Sequence, residues 1–161
     1  MRKRTRAREL ALQALYQLDL RGDEVLPDVA RLLNEGTAEP DVRLFARQLV
    51  DGCRAHRAEL DAAIAAAAEN WVLGRMAALD RNVLRLGTFE LLFLPDMPPK
   101  VSINEAVSLA KLYATAQSGA FVNGVLDRIL REHPKPQGQE GLTAENAEDT
   151  EETETERAEP S

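Results

Sequence analysis

Apolar residues return every three to four positions along most of this chain, and no stretch alternates convincingly as a strand would. Leu10, Ala11, Ala14, Leu15 and Leu18 mark one face of a helix predicted over about residues 5–20, ended by Arg21-Gly22-Asp23. A short helix is expected over 25–34, with Pro27 tolerated in its first turn, and Glu35-Gly36-Thr37 breaks it. One long amphipathic helix is then predicted over roughly 41–68. Val42, Phe45, Leu49, Cys53, His56, Leu60 and Ile64 trace its inner face.

The pattern is irregular around 71–79, where Gly74 marks a bend. Asp80 reads as the N-cap of the next helix, and Leu79 with Leu84 has the spacing of a hydrophobic staple. That helix, DRNVLRLGTFELLFLP, is apolar on nearly every side and is expected at the centre of the fold. Pro95, Pro98 and Pro99 end it. Ser102-Ile103-Asn104-Glu105 reads as a capping box, opening a helix that turns Ile103, Ala106, Val107 and Ala110 inward. A last helix over 118–132 buries Val122, Val125, Leu126 and Ile129. Asn123 and Gly124, poor helix formers within it, read as a buried amide and a point of close helix approach. The expected fold is all-α.

Composition agrees, with few aromatics and abundant Ala and Leu. Charge changes the picture more. The net of −7 is segregated: residues 138–161 hold nine acids and one base, and the other 137 residues hold 18 acids and 19 bases. The acidic stretch lacks Phe, Ile, Val and Trp, so it is expected to remain disordered. A helical domain over 1–136 and an acidic tail over 137–161 follow.

Cys53 is the single cysteine, which excludes an intrachain disulfide and suits a reducing cytoplasm. Gln13, Gln17 and Asp19 interrupt the apolar start and argue against a signal peptide, and no run has the length of a membrane span. Cys53 and His56 share a helix face, but two ligands do not make a metal site. Phosphate-loop, dinucleotide, zinc-protease and nucleophile-elbow motifs are absent, and no carboxylates form a matched acid/base pair. The sequence argues against an enzyme and calls for no cofactor or metal.

What remains is the start of the chain. Arg2, Lys3, Arg4, Arg6 and Arg8 precede the first acid, Glu9, at the helix end whose dipole favours anions. Arginine grips phosphate bidentately, so the block points to nucleic acid. Tyr16 reads either as a stacking platform for an unpaired base or as a half-buried core tyrosine, with Gln13 on its surface. Tyr113 and Phe121 stand near the last interhelical loop, Phe121 more in the manner of a core residue.

RARELALQALYQLDL, LDRNVLRLGTFELL, KVSINEAVSLAK and FVNGVLDRIL together resemble the bacterial NusB transcription antitermination factor family, over about residues 4–132. The resemblance implies two three-helix bundles packed across each other. It implies binding of boxA, a single-stranded element of ribosomal RNA leaders, as a heterodimer with ribosomal protein S10 (NusE), alongside other Nus factors on RNA polymerase. Some members pair with a second copy of themselves and hide the RNA surface. Arg4, Arg6, Arg8, Gln13 and Tyr16 match the RNA-facing part of the first helix, and Tyr113, Gln117, Ser118 and Phe121 a second part. Gln117 stands where better-known members carry an acid. Asp80, Arg81 and Arg85 match a region implicated in binding S10 or RNA. Two other readings compete: the related targeting module of rRNA cytosine methyltransferases, and a helix-turn-helix on duplex DNA.

Overall fold

Lys3 Nζ lies 3.0 Å from a Glu39 carboxylate oxygen and 3.2 Å from Asp41, and Arg6 donates to the Gly36 carbonyl at 3.1 Å. These ties hold the first turn against the body, and helix α1 (Arg2–Arg21) begins three residues before its expected start. The computed structural model describes residues 2–69 and 71–135; the acidic tail and its expected disorder lie outside them. Gly22, at φ 76°, turns the chain where an L side chain would be strained. A 3₁₀ turn then leads into α2 (Leu26–Glu35).

The long helix expected over 41–68 is two helices, α3 (Pro40–Ala55) and α4 (Arg57–Ala67), divided at His56 (φ −111°, ψ 22°). Apolar spacing runs through the break because one non-helical residue changes direction without erasing the period. Leu49, Cys53, Leu60 and Ile64 are all buried as expected, whereas His56 is only partly buried and stacks on Phe93 at 4.0 Å. The bend lets α3 pack on α1 while α4 packs on the later helices.

Helix α5 (Ala78–Phe93) buries every residue from Asn82 to Leu91, as its all-round apolar pattern predicts. It starts two residues before Asp80, so Asp80 is not the N-cap, and Leu79 lies inside the helix rather than ahead of it. Helix α6 (Pro99–Tyr113) starts at Pro99, whose missing N–H and fixed φ suit a first turn. The expected capping box is therefore a turn inside the helix. The Ser102 hydroxyl instead donates to Glu90 at 2.7 Å, and Glu105 accepts from Thr5 at 2.8 Å. Helix α7 (Ala116–Glu132) is capped by Thr115, which accepts from the Ser118 amide. Asn123 and Gly124 are exposed, and a Cβ on Gly124 would meet nothing within 4 Å. Close approach occurs at Gly52, where a Cβ would fall 2.1 Å from the Phe89 ring, and at Gly87, 2.7 Å from Leu126.

The described residues form no strand. Helices α1–α3 make one bundle and α5–α7 a second, with α4 against α5 and α7, and the bundles meet along α1 and α5. Arg8 pairs with Glu90 and Asp19 with Arg81, so α1 and α5 run antiparallel. Each end of this seam carries a polar cluster. At one, Arg8 donates to both Glu90 oxygens, at 2.7 and 2.9 Å, with both side chains 2% exposed. At the other, Asp19 accepts from Arg81 and Asn82, and Arg85 donates to Asp61 at 2.8 and 3.1 Å. No helix among the described residues is long and apolar enough to cross a membrane.

Burial works against the Asp19 carboxylate, but hydrogen bonds from Arg81 and Asn82 and the charge of Arg85 hold its pKa below the usual 3.8. A depressed native pKa adds stability that is full above the unfolded value and is lost as pH falls through the native one. Below about pH 4, the wild type is expected to lose urea stability more steeply than an Asp19→Asn variant. Parallel slopes would show that Asp19 does not carry the acid sensitivity.

Candidate nucleic-acid interface

The residues singled out in the sequence divide into an exposed set and an interior set. Arg8 belongs to the interior. Burial opposes its charge, but Glu90 and Glu105 more than offset this, and its pKa is raised. It lies 1% exposed, with Nε and Nη2 donating to Glu90 and the buried Nη1 3.4 Å from Glu105, so it presents nothing to a phosphate. Arg85, 4% exposed, is likewise committed to Asp61 and Asn82. Arg81 donates to Asp19 and to the Leu73 and Met76 carbonyls, fixing the segment ahead of α5. Arg8 and Arg85 are thus buried and Arg81 partly so, each with its guanidinium engaged inside the molecule. A long arginine stem reads the same in sequence whether its head meets water or a buried carboxylate.

Arg4 and Arg6 stay outside. The Arg4 guanidinium covers the Phe45 ring at 4.3 Å from its centroid. Partial burial and the nearby Arg8 lower its pKa. Arg6 is exposed, shared between Glu9 at 3.1 Å and the Gly36 carbonyl. Further along α1, Gln13 is half-buried and Tyr16 is 36% exposed, so part of its ring is packed and part is open to solvent. Tyr16 lies ten residues beyond Arg6, roughly 15 Å along the helix.

A second group assembles at the start of α5. Glu90 takes the Ser102 hydroxyl, so α6 folds back along α5 and brings its C-terminal turn, with Tyr113 at 41% exposure, to this end. A cleft of about 340 Å³ opens there, walled by Trp71, Arg75, Asp80, Gln117, Ser118 and Phe121. Trp71 meets Phe121 edge to face, with centroids 5.4 Å apart and planes at 63°. Trp71 is 56% exposed, Phe121 half-buried. One Asp80 carboxylate oxygen is buried without a hydrogen-bond partner among the described residues. The cleft thus offers aromatic faces, amide and hydroxyl groups, a carboxylate and a guanidinium, a set able to stack on and hydrogen-bond a planar heterocycle.

Trp71 and Arg75 went unnoticed in the sequence as site residues. Their one signal was a lone tryptophan in a stretch without apolar period, next to Gly74. The described residues contain no cluster of three or more His, Cys, Asp or Glu side chains that could hold a metal ion. Cys53 is buried beneath α5, where burial pushes its thiol well above the usual range.

Two packed helical bundles with cations at one end of the joining helix and an aromatic cleft toward its other end define an all-helical protein with a surface suited to nucleic acid. The model of the NusB family matches residues 5–131, and the chain belongs to that family. Transcription antitermination protein NusB of Myxococcus xanthus (strain DK1622) is 49% identical over 140 residues, covering 84% of this chain and all of its own length. The Geobacter sulfurreducens NusB protein is 45% identical, covering 83% of this chain and 98% of its own length. Among solved structures, T. maritima NusB superposes with a TM-score of 0.76 at 41% identity, over 84% of this chain and 95% of that one. The structure of antitermination factors NusB and NusE in complex with double-stranded RNA gives 0.76 at 35% identity, over 83% and 99%.

Proposed function

We propose that this chain is a cytoplasmic transcription antitermination factor. It binds a single-stranded boxA-type element of ribosomal RNA leaders as a heterodimer with ribosomal protein S10 (NusE), and joins other Nus factors on RNA polymerase. The observation that carries this reading is the cleft between Trp71 and Phe121, bordered by Gln117, Ser118 and Asp80. Stacking and edge hydrogen bonds of that kind suit unpaired bases. The surface runs from Arg4 and Arg6 past Gln13 and Tyr16 on α1, and from Tyr113 to Phe121 across the α6–α7 turn. Phosphate contacts at the cationic end set the position of the strand, and the cleft contributes base selectivity. Asp80, whose carboxylate borders the cleft, serves either the RNA or the S10 side.

Family membership supports the adaptor reading over a methyltransferase. The Myxococcus relative is matched along its whole length, leaving no further domain in that protein to carry catalysis. The related NusB–NusE complex holds double-stranded RNA, so strand state is the property to measure. Titration of single-stranded boxA-type RNA, its duplex and a scrambled strand, each with and without S10, tests the assignment. Preference for the single strand, sharpened by S10, is expected; equal binding of all three would end it.

Arg6→Ala is expected to flatten the plot of log affinity against log salt by up to about 0.7, the share of one phosphate on a single strand. An unchanged slope would remove Arg6 from the phosphate surface.

A further inference from the structure

Of the 21 residues 106–126, which close α6, make the turn and open α7, Lys111 alone is charged. Its stem lies across Gly119. A Cβ on that glycine would fall 2.6 Å from Lys111 Cγ, 3.0 Å from Cε and 3.4 Å from Cδ. Gly119 is buried while Lys111 is exposed. The Gly119 backbone is ordinary helix, so its missing side chain serves the close approach of the lysine. A stem packed along its length has little rotamer freedom left to lose, and its cation is in place before a ligand arrives.

No acid among the described residues answers this ammonium. The first turn of α7 has none. The next carboxylate on α7 is Asp127, eight residues or roughly 12 Å along the helix, and it pairs with Arg131. On α6, Glu105 stands six residues back, roughly 9 Å, and is held by Thr5 and Arg8. Asp80 borders the neighbouring cleft and makes no ion pair with Lys111. The surroundings indicate which anion fits. Leu112 and Tyr113 follow at 67% and 41% exposure, and Gln117 and Ser118, just ahead of Gly119, wall the aromatic cleft. One seated cation among neutral hydrogen-bonding groups and exposed apolar faces matches a single strand, which carries one phosphate per nucleotide between planar bases. An acidic protein surface would bring several carboxylates, with no further cation here to meet them.

We propose that Lys111, seated on Gly119, holds a phosphate of the RNA strand beside the base taken by the cleft at Trp71 and Phe121. The inference rests on the RNA-binding reading above. It gives the surface a fixed phosphate contact at its cleft end, away from Arg4 and Arg6.

Three variants test it. Lys111→Met keeps a stem over Gly119 and removes the charge, whereas Gly119→Ala keeps the charge and displaces the stem. Gly124→Ala is the control on the same helix, where a Cβ meets nothing within 4 Å. Each is titrated with labelled single-stranded boxA-type RNA, with and without S10. Lys111→Met is expected to bind about eightfold more weakly at about 50 mM salt and about twofold at about 300 mM, the counterion-release value of one phosphate. Gly119→Ala is expected to lose about threefold or more in affinity, and to add nothing to the loss in Lys111→Met, because the two share one contact. Its urea midpoint holds or rises, since alanine favours helix, and Gly124→Ala raises the midpoint with RNA affinity unchanged. Equal binding by the wild type and Lys111→Met overturns the proposal, as do additive losses in the double variant. A loss seen only with S10 present also overturns it and gives Lys111 to the S10 surface. A wild type that binds no RNA ends the RNA reading and the proposal with it, and its blank titration tells that failure from the others.

Discussion

Replacing Arg8 by alanine is expected to destabilise the protein by about 3–5 kcal/mol, while the salt dependence of RNA binding by the folded fraction stays unchanged. Arg8 and Glu90 are both 2% exposed and joined by two hydrogen bonds. Removing the cation leaves Glu90 with the Ser102 hydroxyl and no counter-charge bonded to it. An uncompensated buried charge costs far more than a surface pair, and a loss of this size is a large part of the stability of a domain. Much of the effect belongs to the orphaned carboxylate. Arg8→Met combined with Glu90→Leu is therefore expected to recover a good share of it, since apolar replacement of both partners removes the buried charge. Urea unfolding of the three proteins measures the first part, and RNA titration at several salt concentrations the second. Full stability with a flatter salt slope in Arg8→Ala would return Arg8 to the phosphate surface.

Trp71→Ala is expected to weaken RNA binding by about 1–3 kcal/mol, the range for loss of one stacked base. That is roughly a 5- to 150-fold rise in Kd. Little stability is at stake, because Trp71 is 56% exposed and stands outside the helices. A surface change of this kind falls within about 0.5 kcal/mol. The separation is the diagnostic: affinity drops while the unfolding curve holds. Trp71 is also the only tryptophan, so quenching of its emission on titration with RNA reports the contact directly. Unaltered emission and affinity would empty the cleft of its role and leave Trp71 as packing for Phe121.

Both predictions concern residues whose surroundings the sequence does not show, for related reasons. Arg8 sits among five cations of one run, where nothing in the spacing separates it from Arg4 or Arg6. Its place toward α5 follows from the pitch of α1, and its partner is 82 residues away. Trp71 lies where no periodic pattern predicts an element, and its meaning comes from Phe121, 50 residues on. The capping box at Ser102 failed similarly. Its residue types are right, but Pro99 had already started the helix and Glu90 took the hydroxyl. Gly124 drew attention as a breaker within a helix. The glycines that bring elements together are Gly52 and Gly87, set apart by the large side chains of Phe89 and Leu126 facing them.

The sequence by itself determined the all-helical class, the central α5 with its buried middle, the segregation of charge and the family, because these depend on local period, composition and linear order. Which cations face water, where the long helix bends at His56, and how Trp71, Asp80 and Phe121 come to share a cleft were decided only by the tertiary structure. Burial and ion pairing are relations between distant segments. A side chain becomes interior or exposed only when the helix opposite it has arrived.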